Sequence, residues 1–244
     1  MWRISAFILA TVLSTAYSLA QSPLDQVWQT ITNSRSNPTA AALSNDKITA
    51  GLKEALKVST GKAVAATGKP DGFLKNEATK ILLPEKLRTA GKGMRLLGVG
   101  PQLDELEIGM NRAAEQATPL AKQIFFNALL KMSIDDARNI LTGRDNAATE
   151  YFRRQSSGEL TAAFKPIVHQ AMQRVGVIKQ YNQLMQNSMA APLLQTQGFD
   201  LDNHVVGKTL DGLFYMLGQE EKQIRKHPAA RTTALLREVF GTRL

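Results

Sequence analysis

Apolar positions recur at helical spacing along most of the chain, and strand-type alternation is rare. The longest such stripe lies between Asp202 and Phe240. Val206, Leu210, Leu213, Leu217 and Ile224 fall on one face, which predicts a helix with Asp202 as N-cap and Pro228 as its stop. A second helix is predicted over Ala229–Phe240, with Leu235, Leu236, Val239 and Phe240 inward and Gly241 closing it. The earlier helices are expected to pack around this hairpin.

The same reading orders the rest. Leu24, Val27, Trp28 and Ile31 share a face in a short helix, and 33–42 reads as a linker of Ser, Asn, Pro and Ala. The compact domain is expected over 44–244. Ser44 opens a helix to about Ala66, followed by a turn-rich stretch from Gly68 to Pro84. Pro84 begins the next helix, Leu103–Ala117 forms another, and Thr118-Pro119 reads as an N-cap with an N1 proline. Ser133-Ile134-Asp135-Asp136 resembles a capping box. Asp145 is expected to cap a short helix bearing Tyr151 and Phe152. Ser157 starts a separate one, kinked at Pro166. The fold class is all-α: a single compact domain of about ten helices with short connections.

The first 20 residues stand apart from this pattern. Arg3, an apolar run from Ile4 to Leu13 and the small-x-small site Ser18-Leu19-Ala20 read as a cleaved signal peptide, with Gln21 as the new N-terminus. The run is short for a membrane span. The expected address is the periplasm, with no transmembrane segment after cleavage. The chain has no cysteine, so thiolate zinc sites and thiol catalysis are excluded. A hydrophobic content of 43% is enough for a core that needs no disulfide. The net charge of +9 would suit nucleic acid, but export makes anionic lipid, an envelope polymer or an acidic protein the better counter-charge, and the spread of basic residues along the whole chain favours plain surface solvation over any of them.

Candidate chemistry is sparse. Three Gly-Lys pairs, at 61, 68 and 91, are followed by Ala63, Pro70 and Gly93, so none makes a phosphate loop. Gly98-x-Gly100 is too short for a dinucleotide fingerprint, and there is no Gly-x-Ser-x-Gly elbow. His169, His204 and His227 lack metal-ligand spacing, and no cofactor is expected. Glu220 and Glu221 are more informative, because one of them must lie on or beside the buried stripe and needs a partner there. The expectation is that Glu220 points inward and meets Arg112. Tyr151 and Arg153 form an aromatic–arginine cluster that could hold a ligand. Tyr181–Phe199 carries no charge and reads as either a flap or a packed loop.

Several segments together resemble a known family. Met110-Asn111-Arg112-Ala113-Ala114-Glu115, Thr149-Glu150-Tyr151-Phe152-Arg153, Leu210-Asp211-Gly212-Leu213-Phe214 and Ala229-Ala230-Arg231-Thr232-Thr233 are similar to the bacterial domain-of-unknown-function family 4197. So are Ser44-Asn45-Asp46 and Gly51-Leu52-Lys53-Glu54-Ala55-Leu56. The resemblance covers roughly Leu43 to Gly241. It implies an exported, all-helical, single-domain protein of Gram-negative bacteria, with no activity and no catalytic residues to transfer. The expected work is non-catalytic binding of an amphiphilic, lipid-like ligand or an envelope protein. The alternatives are a hydrolase or transferase built around Glu220 or Glu221, and a structural or assembly factor of the envelope.

Overall fold

The computed structural model describes residues 45–186, 200–227, 230, 231 and 233–241. The signal peptide, the 24–32 helix, the linker, the Pro228 stop and most of Tyr181–Phe199 lie outside the described residues. Within them the protein is all-helical. The helices are α1 (Asn45–Thr67), α2 (Glu85–Leu96), α3 (Gly100–Ala117), α4 (Ala121–Leu130), α5 (Ile134–Leu141), α6 (Ala147–Arg174), α7 (Val177–Gln186), α8 (Leu201–Lys226) and α9 (Ala234–Gly241). Seven of these have ten residues or more, fewer than the ten helices expected, and α5 and α9 are two-turn segments.

The inward stripe expected on the last long helix is present, whereas α9, expected to form a hairpin with it, packs chiefly on α1. Val206, Leu210, Leu213, Leu217 and Ile224 are all buried. At about 2 kcal/mol per side chain, that stripe contributes roughly 10 kcal/mol of gross burial. Helix α8 packs chiefly on α6 and α1, and α6 in turn packs on α3. Where they meet, Phe125 sets its edge against both Phe152 and Phe214, with ring centroids 5.2 and 5.7 Å apart.

Several boundaries differ from the sequence-based expectation, each for a local reason. Asp200, not Asp202, caps α8, accepting from the Asn203 amide at 2.9 Å. Thr118 does not cap. Its hydroxyl donates back to the Ala114 carbonyl at 2.8 Å, so α3 runs through a 3-10 turn (Thr118–Leu120) into α4. Ser157 likewise bonds back to the Arg153 carbonyl at 2.6 Å. The two helices expected around 145–171 are therefore one, and Pro166 lies inside it. Helix α9 begins at Ala234 rather than 229. Arg231 is used before it starts, donating to the Ile224 and Arg225 carbonyls at the end of α8, both at 3.1 Å. The Ser133–Asp136 capping box is present as expected.

The 68–84 stretch lacks a helix of its own, and its backbone polar groups need partners. They find them on α3. Asn111 exchanges two 2.8 Å bonds with the Ile81 amide and carbonyl. Glu115 accepts from the Phe73 and Leu74 amides, both at 3.1 Å. Asp71 sits at the tight turn with φ 67°, a left-handed conformation that its side-chain contacts hold.

Candidate functional site

The five residues singled out from the sequence occupy separate places. Arg112 does not meet Glu220. It bridges Asp71 and Glu115, each at 2.7 Å, and so clamps the 68–84 loop to α3. The two carboxylates hold its guanidinium above the ordinary arginine value, Glu115 contributing most. Glu220 is half-buried and lies 3.6 Å from Lys62. The inward glutamate is Glu221, 4% exposed.

Glu221 has a structural occupation that the sequence did not reveal. One oxygen accepts from the Ala148 amide at 2.9 Å and from Arg225 Nε and Nη2 at 3.0 and 2.9 Å. The other accepts from the Thr149 amide and hydroxyl at 2.9 and 2.8 Å. The α6 N-cap residue, Asn146, makes no side-chain cap bond. Glu221 therefore caps α6 from across the core, placing its negative charge at a helix N-terminus. Arg225 extends the network to the Ile140 and Leu141 carbonyls at the end of α5. The start of α6 and the end of α5 are locked to α8 through one ion pair.

Tyr151 is 3% exposed, and burial pushes its hydroxyl above the ordinary tyrosine value. Arg153 lies on the opposite side, its guanidinium 4.6 Å from the Phe214 ring centroid. It borders a cleft of about 600 Å³ between α6, α8 and the 68–84 loop. Two segments that carried the family resemblance meet there: Thr149, Glu150 and Arg153 face Asp211, Gly212 and Phe214. The cleft is charged but largely self-paired. Lys208 and Arg153 flank Asp211 at 3.3 and 3.7 Å, and Lys226 holds Asp145 at 2.6 Å, which keeps that carboxyl below its ordinary value. Its lining holds no histidine, serine or cysteine.

His169, Ser157 and Asp202 share a second groove along α6. His169 Nδ1 is 2.8 Å from Asp202. Ser157 stands twelve residues earlier on the same helix, about 18 Å along its axis, too far to form a nucleophile–base pair with it. His204 Nε2 lies 3.0 Å from the Leu82 carbonyl. Among the described residues no group of His, Asp and Glu is arranged to hold a metal ion, and no helix is long and apolar enough to cross a membrane.

A third groove, of about 530 Å³, runs between α1 and α4. Pro119, Leu120, Phe126 and Leu129 form its apolar side, and Lys57, Lys122 and Gln123 supply its polar groups. Leu120 and Phe126 remain 42% and 37% exposed. The 3-10 turn brings Pro119 and Leu120 to the mouth of this groove. Sequence reasoning overlooked this site. The available signal was Phe126, an aromatic residue off the expected inward stripe of Leu120, Ile124, Phe125, Ala128 and Leu129, of which Leu120 is in fact exposed because the 3-10 turn carries it to the surface.

No curated protein and no solved structure matches the chain. A family model does match, over residues 42–241, which takes in every described helix. With that span covered, the chain belongs to the family described as Protein of unknown function (DUF4197).

Proposed function

We propose that this protein is an exported, periplasmic, non-catalytic binding protein whose ligand is amphiphilic. The carrying observation is the α1–α4 groove, an apolar floor with a few polar groups at its edge, which is the usual composition of a small-molecule site. Its volume of about 530 Å³ suits a ligand of that class. The signal peptide expected at residues 1–20 supports the address.

The hydrolase or transferase reading around Glu220 and Glu221 has less support. The Glu221 carboxylate already accepts five protein hydrogen bonds. The cavity beside it is about 10 Å³, too small for a substrate.

The test is native mass spectrometry and solvent extraction of protein isolated from the periplasm. A co-purifying amphiphile is expected at near-stoichiometric amount, with an N-terminus at Gln21. Phe126→Asp is expected to abolish its retention without unfolding the protein. If no amphiphile co-purifies and none is taken up from added long-chain probes, the proposal is wrong.

A further inference from the structure

We infer that the α1–α4 groove selects an anionic single-chain amphiphile, a long-chain carboxylate with its head between Lys57 and Lys122. This rests on the amphiphile reading above and adds the head group.

Charge separates this groove from the other clefts. The α6–α8 cleft contains Asp145, Glu150 and Asp211, and the α6 groove contains Asp202. The depression beside Tyr151 contains Asp136 and Glu150. The α1–α4 groove has two lysines and no carboxylate in its lining. Neither lysine forms an ion pair among the described residues. The Lys57 ammonium is 5.7 Å from the Phe126 ring centroid, which draws it over the apolar floor. Two cations without an ion-pair partner among the described residues, beside an apolar trough, are complementary to a head that is negative and a tail that is not.

The second observation is Thr60. It lines the groove and is 3% exposed, yet its hydroxyl has no hydrogen-bond partner among the described residues. Its neighbours on the same helix are satisfied. Ser59 donates to the Ala55 carbonyl at 2.8 Å and Thr67 to the Ala63 carbonyl at 2.7 Å. A buried hydroxyl without a partner is destabilising. The hydroxyl oxygen is sealed from solvent as it stands, and a turn of the Thr60 side chain about χ1 would let a carboxylate oxygen entering between the lysines accept its proton. The head is then held by two ammonium groups and one hydroxyl, with the tail along Pro119, Leu120, Phe126 and Leu129.

The test is a fluorescence titration of the purified protein with a polyene fatty acid, kept below its aggregation threshold, and in parallel with its methyl ester. The acid is expected to bind at least tenfold more tightly than the ester. In Lys57→Gln/Lys122→Gln the acid should fall to the ester's affinity while ester binding is unchanged. Thr60→Val should weaken the acid several-fold without lowering the urea midpoint. Equal binding of acid and ester to the unaltered protein overturns the head-group assignment and leaves the amphiphile reading standing. Binding of neither overturns both. Binding to anionic vesicles but not to the free acid also overturns the inference, in favour of a membrane surface.

Discussion

Replacing Glu221 with alanine should be among the most damaging single changes in the chain. The substitution strands Arg225, whose side chain is only 11% exposed, and frees the Ala148 and Thr149 amides at the start of α6. Removing one member of a buried ion pair costs about 3–5 kcal/mol. Losing a helix cap alone costs about 1 kcal/mol, and the two effects overlap, so the sum stays near about 4 kcal/mol. At about 2–4 °C per kcal/mol for a domain of this size, the midpoint should fall by roughly 6–20 °C. Urea unfolding followed by helical circular dichroism measures the loss, with an unchanged slope expected because the folded core is the same. Glu221→Gln keeps a carbonyl acceptor for the α6 amides and should cost less. A cycle of Glu221→Gln with Arg225→Met should show a coupling of about 1–3 kcal/mol. A loss below about 1 kcal/mol for Glu221→Ala would refute the capping role and return this carboxylate to the list of candidate site residues.

Other outcomes follow from the same packing. In a cycle of Glu220→Gln with Arg112→Met, the coupling should be within about 0.5 kcal/mol of zero, since the two residues share no partner. Gly212→Ala should destabilise by about 1 kcal/mol net, read from urea unfolding. The new methyl would sit 2.8 Å from Phe73 and 3.2 Å from Thr79, and this overpacking outweighs the gain in helix propensity. Lys75 and Arg112 hold the Asp71 carboxyl below its ordinary value of 3.8. Its contribution is therefore complete above that pH and is lost as pH falls through the lower folded-state value. The stability difference between the unaltered protein and Asp71→Asn should be constant near neutrality and shrink below about pH 4, as pH-dependent urea midpoints would show. A difference that grew on acidification would reverse the assigned interaction.

The α6–α8 core was legible because periodicity reports burial directly. A residue at 213 or 217 can be placed inward from its neighbours three and four positions away. The same periodicity left Glu220 and Glu221 unresolved. Positions one residue apart lie about 100° apart around a helix, and either fitted the seam. The choice fell to Glu221 because the start of α6, 72 residues distant in sequence, presents two amides and a hydroxyl to that face. Asn111 and Glu115 were missed for a related reason. Their four-residue spacing is visible, but it gains meaning only when the 68–84 loop brings unpaired backbone groups to them.

Serine and threonine hydroxyls show the same division. From sequence alone Thr118 and Ser157 read as helix starts, because their types favour caps. In the folded chain both bond to the carbonyl four residues back, and the helical backbone continues past them. By itself the sequence determined the helical class, the inward stripe of the last long helix, the Ser133 capping box and the family resemblance. The first three depend on residues within a few turns of one another, and the resemblance on short segments each read locally. Tertiary structure decided which carboxylate is buried, what caps α6, what holds the long loop, and where two lysines flank an apolar groove beside a buried threonine. Those depend on groups far apart in the chain, whose meeting is set by packing and not by any local spacing.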